Sequence, residues 1–280
     1  MDVGIIGFPL RHSISPVFQQ AAIDDIGLDI TYNLWETPSS QLEDRVNSLR
    51  GKNILGANVT VPYKQAVIPY LDTLVGSAKI LQSVNTIVNQ NGLLEGHNTD
   101  VYGFITSLQE EKGFNCQGKN ILVLGSGGVG RAVILTLADQ IAERLLIANR
   151  TINKAETLVS ELASVTPIEV CSLDEQHIKD ASSPVSWDLI VNCTSIGMRY
   201  TDLETLSPIS ADIMRKGALV YDLVYNPPVT VLLKLAADAG LDTLGGVWML
   251  IHQGAQAFRL WTNEDPNIPI MFQAARQAIY

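Results

Sequence analysis

The chain has 280 residues, long for one hydrophobic core and ample for two domains, and its 46% hydrophobic, 17% charged composition is globular rather than disordered. Its 29 acidic against 19 basic residues leave a net charge of -10, a surface that repels nucleic acid and anionic membranes. Cys116, Cys171 and Cys193 are too scattered for a disulfide framework, and His12, His97, His177 and His252 lack the spacing of a metal site, so no metal is expected.

No apolar run approaches the ~18 residues of a membrane span. No basic or apolar leader precedes Val3-Gly-Ile-Ile-Gly-Phe8, which reads as a strand. The expectation is a soluble, cytoplasmic protein without a nucleic-acid or membrane partner.

Short apolar runs alternate with amphipathic segments throughout, the pattern of a parallel α/β sheet. The first hundred residues predict strands at 3–8, 30–36, 54–60 and 84–88, and helices at 16–27, 39–49 and 64–75. Ser15-Pro16 reads as N-cap and first helical residue, and Gly27 as a helix stop. Asn91-Gly92 marks a tight hairpin between Thr86-Ile-Val-Asn89 and Leu93-Leu-Glu95.

A new cycle begins near Val101: a helix at 101–112, a strand at 120–124, a helix at 128–139, a strand at 145–149 and a helix at 153–163. Strands at 168–170, 189–192 and 219–222 follow, then helices at 229–239 and 245–261. This restart divides the chain into domains at 1–100 and 101–239, with helices of 240–280 able to pack on either.

Gly125-Ser-Gly127-Gly128-Val129-Gly130 fits G-x-G-x-x-G after an apolar strand and before an amphipathic helix. The first glycine permits the turn, the second the approach of a pyrophosphate, and the third close helix–strand packing. The helix N-terminus then offers N–H groups and partial positive charge to phosphates. Nineteen to twenty residues on, where an acid would hold the ribose hydroxyl of NAD, stand Asn149, Arg150 and Thr151, with Lys154 beyond. A guanidinium fork suits a 2′-phosphate, so the expected cofactor is NADP. The plainer account is an exposed basic turn.

Asn58-Val-Thr-Val-Pro-Tyr-Lys64 and Gly96-His-Asn-Thr-Asp100 place an ammonium and a carboxylate each at the end of what reads as a short strand. Such a pair can move a proton to or from an alcohol oxygen while a dinucleotide exchanges hydride. The alternatives are ordinary: Lys64 as a solvated surface residue, Asp100 and Ser15 as helix caps, Ser13 as a loop hydroxyl, Asn85 as a turn residue.

Gly7-Phe-Pro-Leu-Arg-His-Ser-Ile-Ser-Pro16, the two motifs just named, Ser83-Val-Asn-Thr86, Asn192-Cys-Thr-Ser-Ile-Gly-Met198, Tyr221-Asp-Leu-Val-Tyr-Asn-Pro227 and Gly245-Gly-Val-Trp-Met-Leu-Ile-His-Gln253 occur in an order that resembles shikimate dehydrogenase. The resemblance implies an N-terminal α/β substrate domain and a C-terminal Rossmann-type NADP domain with a cleft between them. It implies reversible reduction of 3-dehydroshikimate to shikimate in aromatic amino-acid biosynthesis, by a monomer or homodimer. Ser13, Ser15, Thr60 and Tyr225 would hold the substrate carboxylate. Lys64, Asn85, Asp100 and Gln253 would hold its hydroxyls, with Lys64 and Asp100 at the reacting oxygen. Thr194, Met198, Val224 and the Gly245-Gly246 pair would complete the cofactor site.

Some positions depart from the family pattern: Gln19-Gln20, Val101 and the run Arg199 to Glu204. Rival readings are a quinate/shikimate or aminoshikimate dehydrogenase, a methylenetetrahydrofolate dehydrogenase, and a non-catalytic sensor of shikimate-pathway metabolites. The presence of both Lys64 and Asp100 argues against the sensor.

Overall fold

The computed structural model describes residues 1–140, 142–162, 166–182 and 186–279. Two compact units emerge, Met1–Gly103 with Ile251–Tyr280, and Phe104–Leu250.

The first unit holds β1 (Asp2–Gly7), α1 (Ser15–Asp25), β2 (Thr31–Glu36), α2 (Leu42–Ser48), β3 (Ile54–Val59), β4 (Thr73–Leu74), α3 (Ser77–Leu81), β5 (Thr86–Gln90) and β6 (Leu93–His97). Its sheet runs β2-β1-β3-β5-β6-β4. The parallel pattern holds for β1, β2 and β3, whereas β5 is antiparallel to both β3 and β6. The Asn91-Gly92 turn dictates the β5–β6 pairing: both residues have positive φ, 55° and 96°, and two residues cannot make a parallel crossover. Strand residues Ile6, Ala57, Val59, Ile87 and Leu94 pack against Leu42, Val46 and Leu49 around α2. Trp261 closes the opposite side, its indole donating to the Ile87 carbonyl at 2.9 Å.

Two expectations in this unit are corrected. Residues 64–75 form no α-helix but a 3-10 turn, Ile68–Tyr70, followed by β4. Pro69 lacks an N–H, and Leu71 is already extended at φ −98°, ψ 151°. Ser15 is not the N-cap of α1: Ile14 occupies that place, with no side-chain cap, and Ser15 is already helical. Gly27, at φ 68°, ends this helix.

The second unit takes most of α4 (Asp100–Lys112), then β7 (Asn120–Leu124), α5 (Gly128–Asp139), β8 (Arg144–Asn149), α6 (Ile152–Glu161), β9 (Ile168–Ser172), α7 (Glu175–Ser182), β10 (Leu189–Asn192), β11 (Leu219–Asp222), α8 (Val231–Asp238), β12 (Asp242–Gly245) and the start of α9 (Val247–Thr262). The rest of α9 and α10 (Ile268–Ile279) belong to the first unit. Residue 163, the predicted end of the sixth helix, and residue 280 lie outside the described residues.

All six strands of the second sheet are parallel, in the order β12-β11-β10-β7-β8-β9. Because helices cover both faces, the strands are apolar on both. Ile121, Val123, Ile147 and Val191 meet Val133 and Leu137 of α5, while Leu122, Leu146, Ile190 and Val220 meet Leu232 and Ala236 of α8. The strand order reverses between β7 and β10, which opens a crevice at their carboxyl ends, the usual place for a ligand in such sheets. Among the described residues no helix is long and apolar enough to cross a membrane.

Candidate active site

In the first unit the register itself gathers the site. β1 and β3 are parallel, so Gly7 and Val59 reach the same edge of the sheet. β5 starts at that edge, with Thr86 opposite Asn58, and β6 returns to it, with His97 opposite Thr86. Asn85, just before β5, and Asp100, just after β6, therefore arrive where β3 runs out toward Lys64. Backbone bonds fix the junction: Val59 N–H donates to the Asn85 carbonyl at 2.8 Å and Val84 N–H to that of Lys64 at 2.7 Å.

Lys64 Nζ donates to Asp100 Oδ2 at 2.6 Å, with 20% of the lysine and 8% of the aspartate side chain exposed. Asn85 Nδ2 donates to the other carboxylate oxygen at 2.8 Å and lies 3.3 Å from Gln253 Oε1. Asn85 Oδ1 accepts the Thr99 N–H at 2.7 Å. Both charged residues stand beyond their strands, Lys64 after a turn and Asp100 in the first turn of α4. The capping account of Asp100 does not describe its side chain, which engages Lys64 and Asn85. Asn98 Oδ1 instead receives the Asp100 N–H at 3.1 Å.

Ser15 is buried, and its hydroxyl hydrogen-bonds the Tyr32 phenol, whose acidity burial suppresses. Tyr32 in turn donates to Asn58 Oδ1 at 2.7 Å. The Ser13 and Thr60 hydroxyls have no hydrogen-bond partner among the described residues; their backbones are held through Leu10 and Ile6 carbonyls at 2.9 Å. Glu36, at the end of β2, accepts the Leu10 N–H at 2.9 Å and anchors the loop that carries both serines. Tyr225 belongs to the second unit, where burial raises its phenol above the usual range.

In the second unit Gly125 has φ 94°, a conformation that favours glycine, and its N–H donates to the Ala148 carbonyl at 2.8 Å. A Cβ on Gly130 would lie 2.5 Å from the Gly125 carbonyl oxygen, so α5 sits tightly under the turn. Gly127 and Gly128 have open space where a Cβ would be, Gly127 caps α5 without a side chain, and Val129 packs toward the core. Asn149 Oδ1 accepts the Ser126 N–H at 3.1 Å, tying the glycine turn to the end of β8. Arg150, Thr151 and Lys154 are exposed, and neither cation has a carboxylate partner among the described residues. Open backbone, an uncapped helix start and an unpaired guanidinium fit a phosphorylated dinucleotide.

Across the switch point, Asn192 Oδ1 accepts both the N–H and the hydroxyl of Thr194, at 3.0 and 2.7 Å. Met198 lies half-buried at the end of that loop, its N–H on the Ser195 carbonyl at 3.1 Å. Val224 N–H donates to Asp222 Oδ1 at 3.0 Å. A side chain on Gly246 would meet the Leu223 carbonyl, so that backbone can lie against the loop only as glycine; Gly245 has more room.

Sequence reasoning assigned no role to Tyr32, Thr86, Thr99, Asn192, Asp222 or Thr230. One signal was available: Asn192 and Asp222 each close an apolar strand with a polar residue, and the register pairs them.

Family models match the chain in three places: the shikimate dehydrogenase substrate binding domain over residues 5–87, shikimate / quinate 5-dehydrogenase over 107–215, and the shikimate 5'-dehydrogenase C-terminal domain over 246–276. The shikimate dehydrogenase (NADP(+)) of Methanopyrus kandleri is 39% identical over 278 residues, covering 97% of this chain and 93% of its own. A crystal structure of a shikimate dehydrogenase in complex with NADP+ matches with a TM-score of 0.90 at 36% identity, covering 100% of this chain and 96% of the other. The shikimate 5-dehydrogenase of Thermus thermophilus, solved with NADP(H) and shikimate, matches with a TM-score of 0.87 at 34% identity, over 99% of both chains.

Proposed function

The chain belongs to the shikimate dehydrogenase family, and we propose that it catalyses the reversible, NADP-dependent reduction of 3-dehydroshikimate to shikimate. The observation that carries this reading is the Lys64–Asp100 pair at 2.6 Å, partly buried and joined to Asn85. NADPH, when bound, supplies the hydride. The chain's own part is the charge and the proton.

Reducing a ketone places negative charge on its oxygen, and a hydrogen-bonded ammonium stabilises that charge and delivers the proton. Lys64 takes that role, with Asp100 holding the ammonium in place. Asn85 and Gln253 offer both donors and acceptors to neighbouring hydroxyls. Ser13, Ser15, Thr60 and Tyr225 offer hydroxyl donors to the substrate carboxylate without adding a counter-charge. Gly125 to Gly130 would hold the pyrophosphate, Asn149, Arg150, Thr151 and Lys154 the adenosine 2′-phosphate, and Thr194, Met198, Val224 and Gly246 the nicotinamide end. The proposed location is the cytoplasm.

The test is NADPH absorbance with 3-dehydroshikimate, then a panel of shikimate, quinate and aminoshikimate crossed with NADP+ and NAD+. Turnover of shikimate with NADP+ above all other pairs is expected. A preference for quinate, or equal use of NAD+, overturns the reading.

A further inference from the structure

Asp222 ends β11 with its side chain wholly buried, and the chemistry above makes no use of it. Three donors converge on its carboxylate: Asn192 Nδ2 at 2.9 Å and Val224 N–H at 3.0 Å on Oδ1, and Thr230 Oγ1 at 2.5 Å on Oδ2. The Thr230 hydroxyl also accepts the Leu233 N–H at 3.3 Å as N-cap of α8, which directs its own proton at Asp222. A set made of donors suits an anion and leaves a protonated carboxyl without a good acceptor for its hydrogen.

Among the described residues no Lys, Arg or His pairs with Asp222, and the titratable group that faces it is the buried Cys193 thiol. Burial pushes the Asp222 carboxyl up to about 6 in spite of its three donors. A buried charge with no counter-ion among the described residues opposes folding, and such groups gather where function needs them.

What the carboxylate controls follows from its neighbours. Asn192 stands opposite Asp222 in the β10–β11 register. Besides donating to Asp222, it holds Thr194 through Oδ1 and the Ile196 carbonyl through Nδ2 at 3.2 Å. One carboxylate thus ties down two segments at adjacent strand ends: residues 193–198, with Thr194 and Met198, and 223–230, with Val224 and Tyr225.

We propose that Asp222, as an anion, is a positioning residue that holds these two segments in the arrangement that receives the nicotinamide end of NADP. This rests on the dehydrogenase reading above and deepens it.

The test is calorimetric binding of two ligands, NADP+ and 2′-phospho-ADP-ribose, which is NADP without the nicotinamide ring. Asp222→Asn presents an amide N–H to a set of donors. It should weaken NADP+ about tenfold and 2′-phospho-ADP-ribose less than about twofold. The ratio of the two affinities cancels titration of the shared 2′-phosphate. In wild type that ratio should fall as the pH drops through about 6 and Asp222 gains a proton; in Asp222→Asn it should stay level.

Should Asp222→Asn fail to fold, Thr230→Val removes one donor and leaves the carboxylate. It should show the same selective loss, with Thr230→Ser restoring the affinity. Equal weakening of both ligands, no weakening, or a pH dependence that survives in Asp222→Asn overturns the proposal. The underlying activity is judged separately: a wild type that binds NADP+ yet oxidises no shikimate refutes the dehydrogenase reading and leaves the binding comparison intact.

Discussion

Lys64→Ala separates a catalytic ammonium from a structural ion pair. The substitution removes a charge 2.6 Å from Asp100 Oδ2 and leaves a carboxylate with 8% of its side chain exposed. Breaking a fully buried pair costs about 3–5 kcal/mol. Lys64 is a fifth exposed and Asn85 still donates to Asp100, so water and the amide offset part of this, and a loss of about 1–3 kcal/mol is expected. Turnover should suffer more, because the ammonium acts on charge that develops only during reaction: kcat should fall on the order of a hundred- to a thousandfold. Since Asp100 works by holding Lys64, Asp100→Asn should lower kcat as well, and the double variant should be no slower than the slower single variant by more than about threefold. Steady-state NADPH absorbance at saturating shikimate, beside a denaturant melt of each variant, gives both quantities. A Lys64→Ala enzyme that loses stability but keeps its turnover, or losses that multiply in the double variant, would refute the reasoning.

Ser13→Ala with Ser15→Ala should raise KM for shikimate roughly ten- to a hundredfold through lost charge-assisted hydrogen bonds, with KM for NADP+ unchanged. The melting temperature should fall only by the worth of the one buried Ser15–Tyr32 hydrogen bond, about 1 kcal/mol, because Ser15 does not cap α1, and a larger drop in it with affinity intact would return these hydroxyls to a structural role. Arg150→Leu should cut the preference for NADP+ over NAD+ by ~1.5–3 kcal/mol, roughly ten- to a hundredfold, measured as the ratio of kcat/KM values. An unchanged ratio removes Arg150 from the 2′-phosphate. Asp222 has its carboxyl raised from 3.8 to about 6, so its contribution to stability is full below the unfolded value and lost as pH rises through the folded one. Wild type should therefore lose about 2 kcal/mol relative to Asp222→Asn as pH rises from roughly 4 to 7, and a difference that does not move with pH refutes that burial cost.

Much of this protein was legible because the signals are local. An apolar run followed by Gly125-Ser-Gly-Gly-Val-Gly130 and an amphipathic helix specifies a βα turn by backbone freedom and periodicity alone, and that element formed as expected. Asn91-Gly92 specifies its hairpin for the same reason, since few residue pairs tolerate positive φ twice in succession. Residues 64–75 carry the apolar spacing of a helix yet form only a 3-10 turn, because Pro69 ends the turn it sits in.

Residue types and motif order also nominated Lys64, Asp100 and Asn85, but nothing in the sequence states that they touch. That is decided by strand register: only because β5 runs antiparallel to β3, and β6 returns beside it, do Asn85 and Asp100 meet the turn that carries Lys64. The same holds for Asp222. Along the chain it is the last residue of an apolar strand, as readily exposed as buried. Its burial, its three donors and its hold on two segments come from the pairing of β10 with β11 and from the cap of α8. Local sequence determines which elements form, because propensity and turn chemistry act over a few residues. Which side chains share a site, and which charges lose their water, depends on contacts between residues far apart in the chain, and those exist only once the sheets have closed.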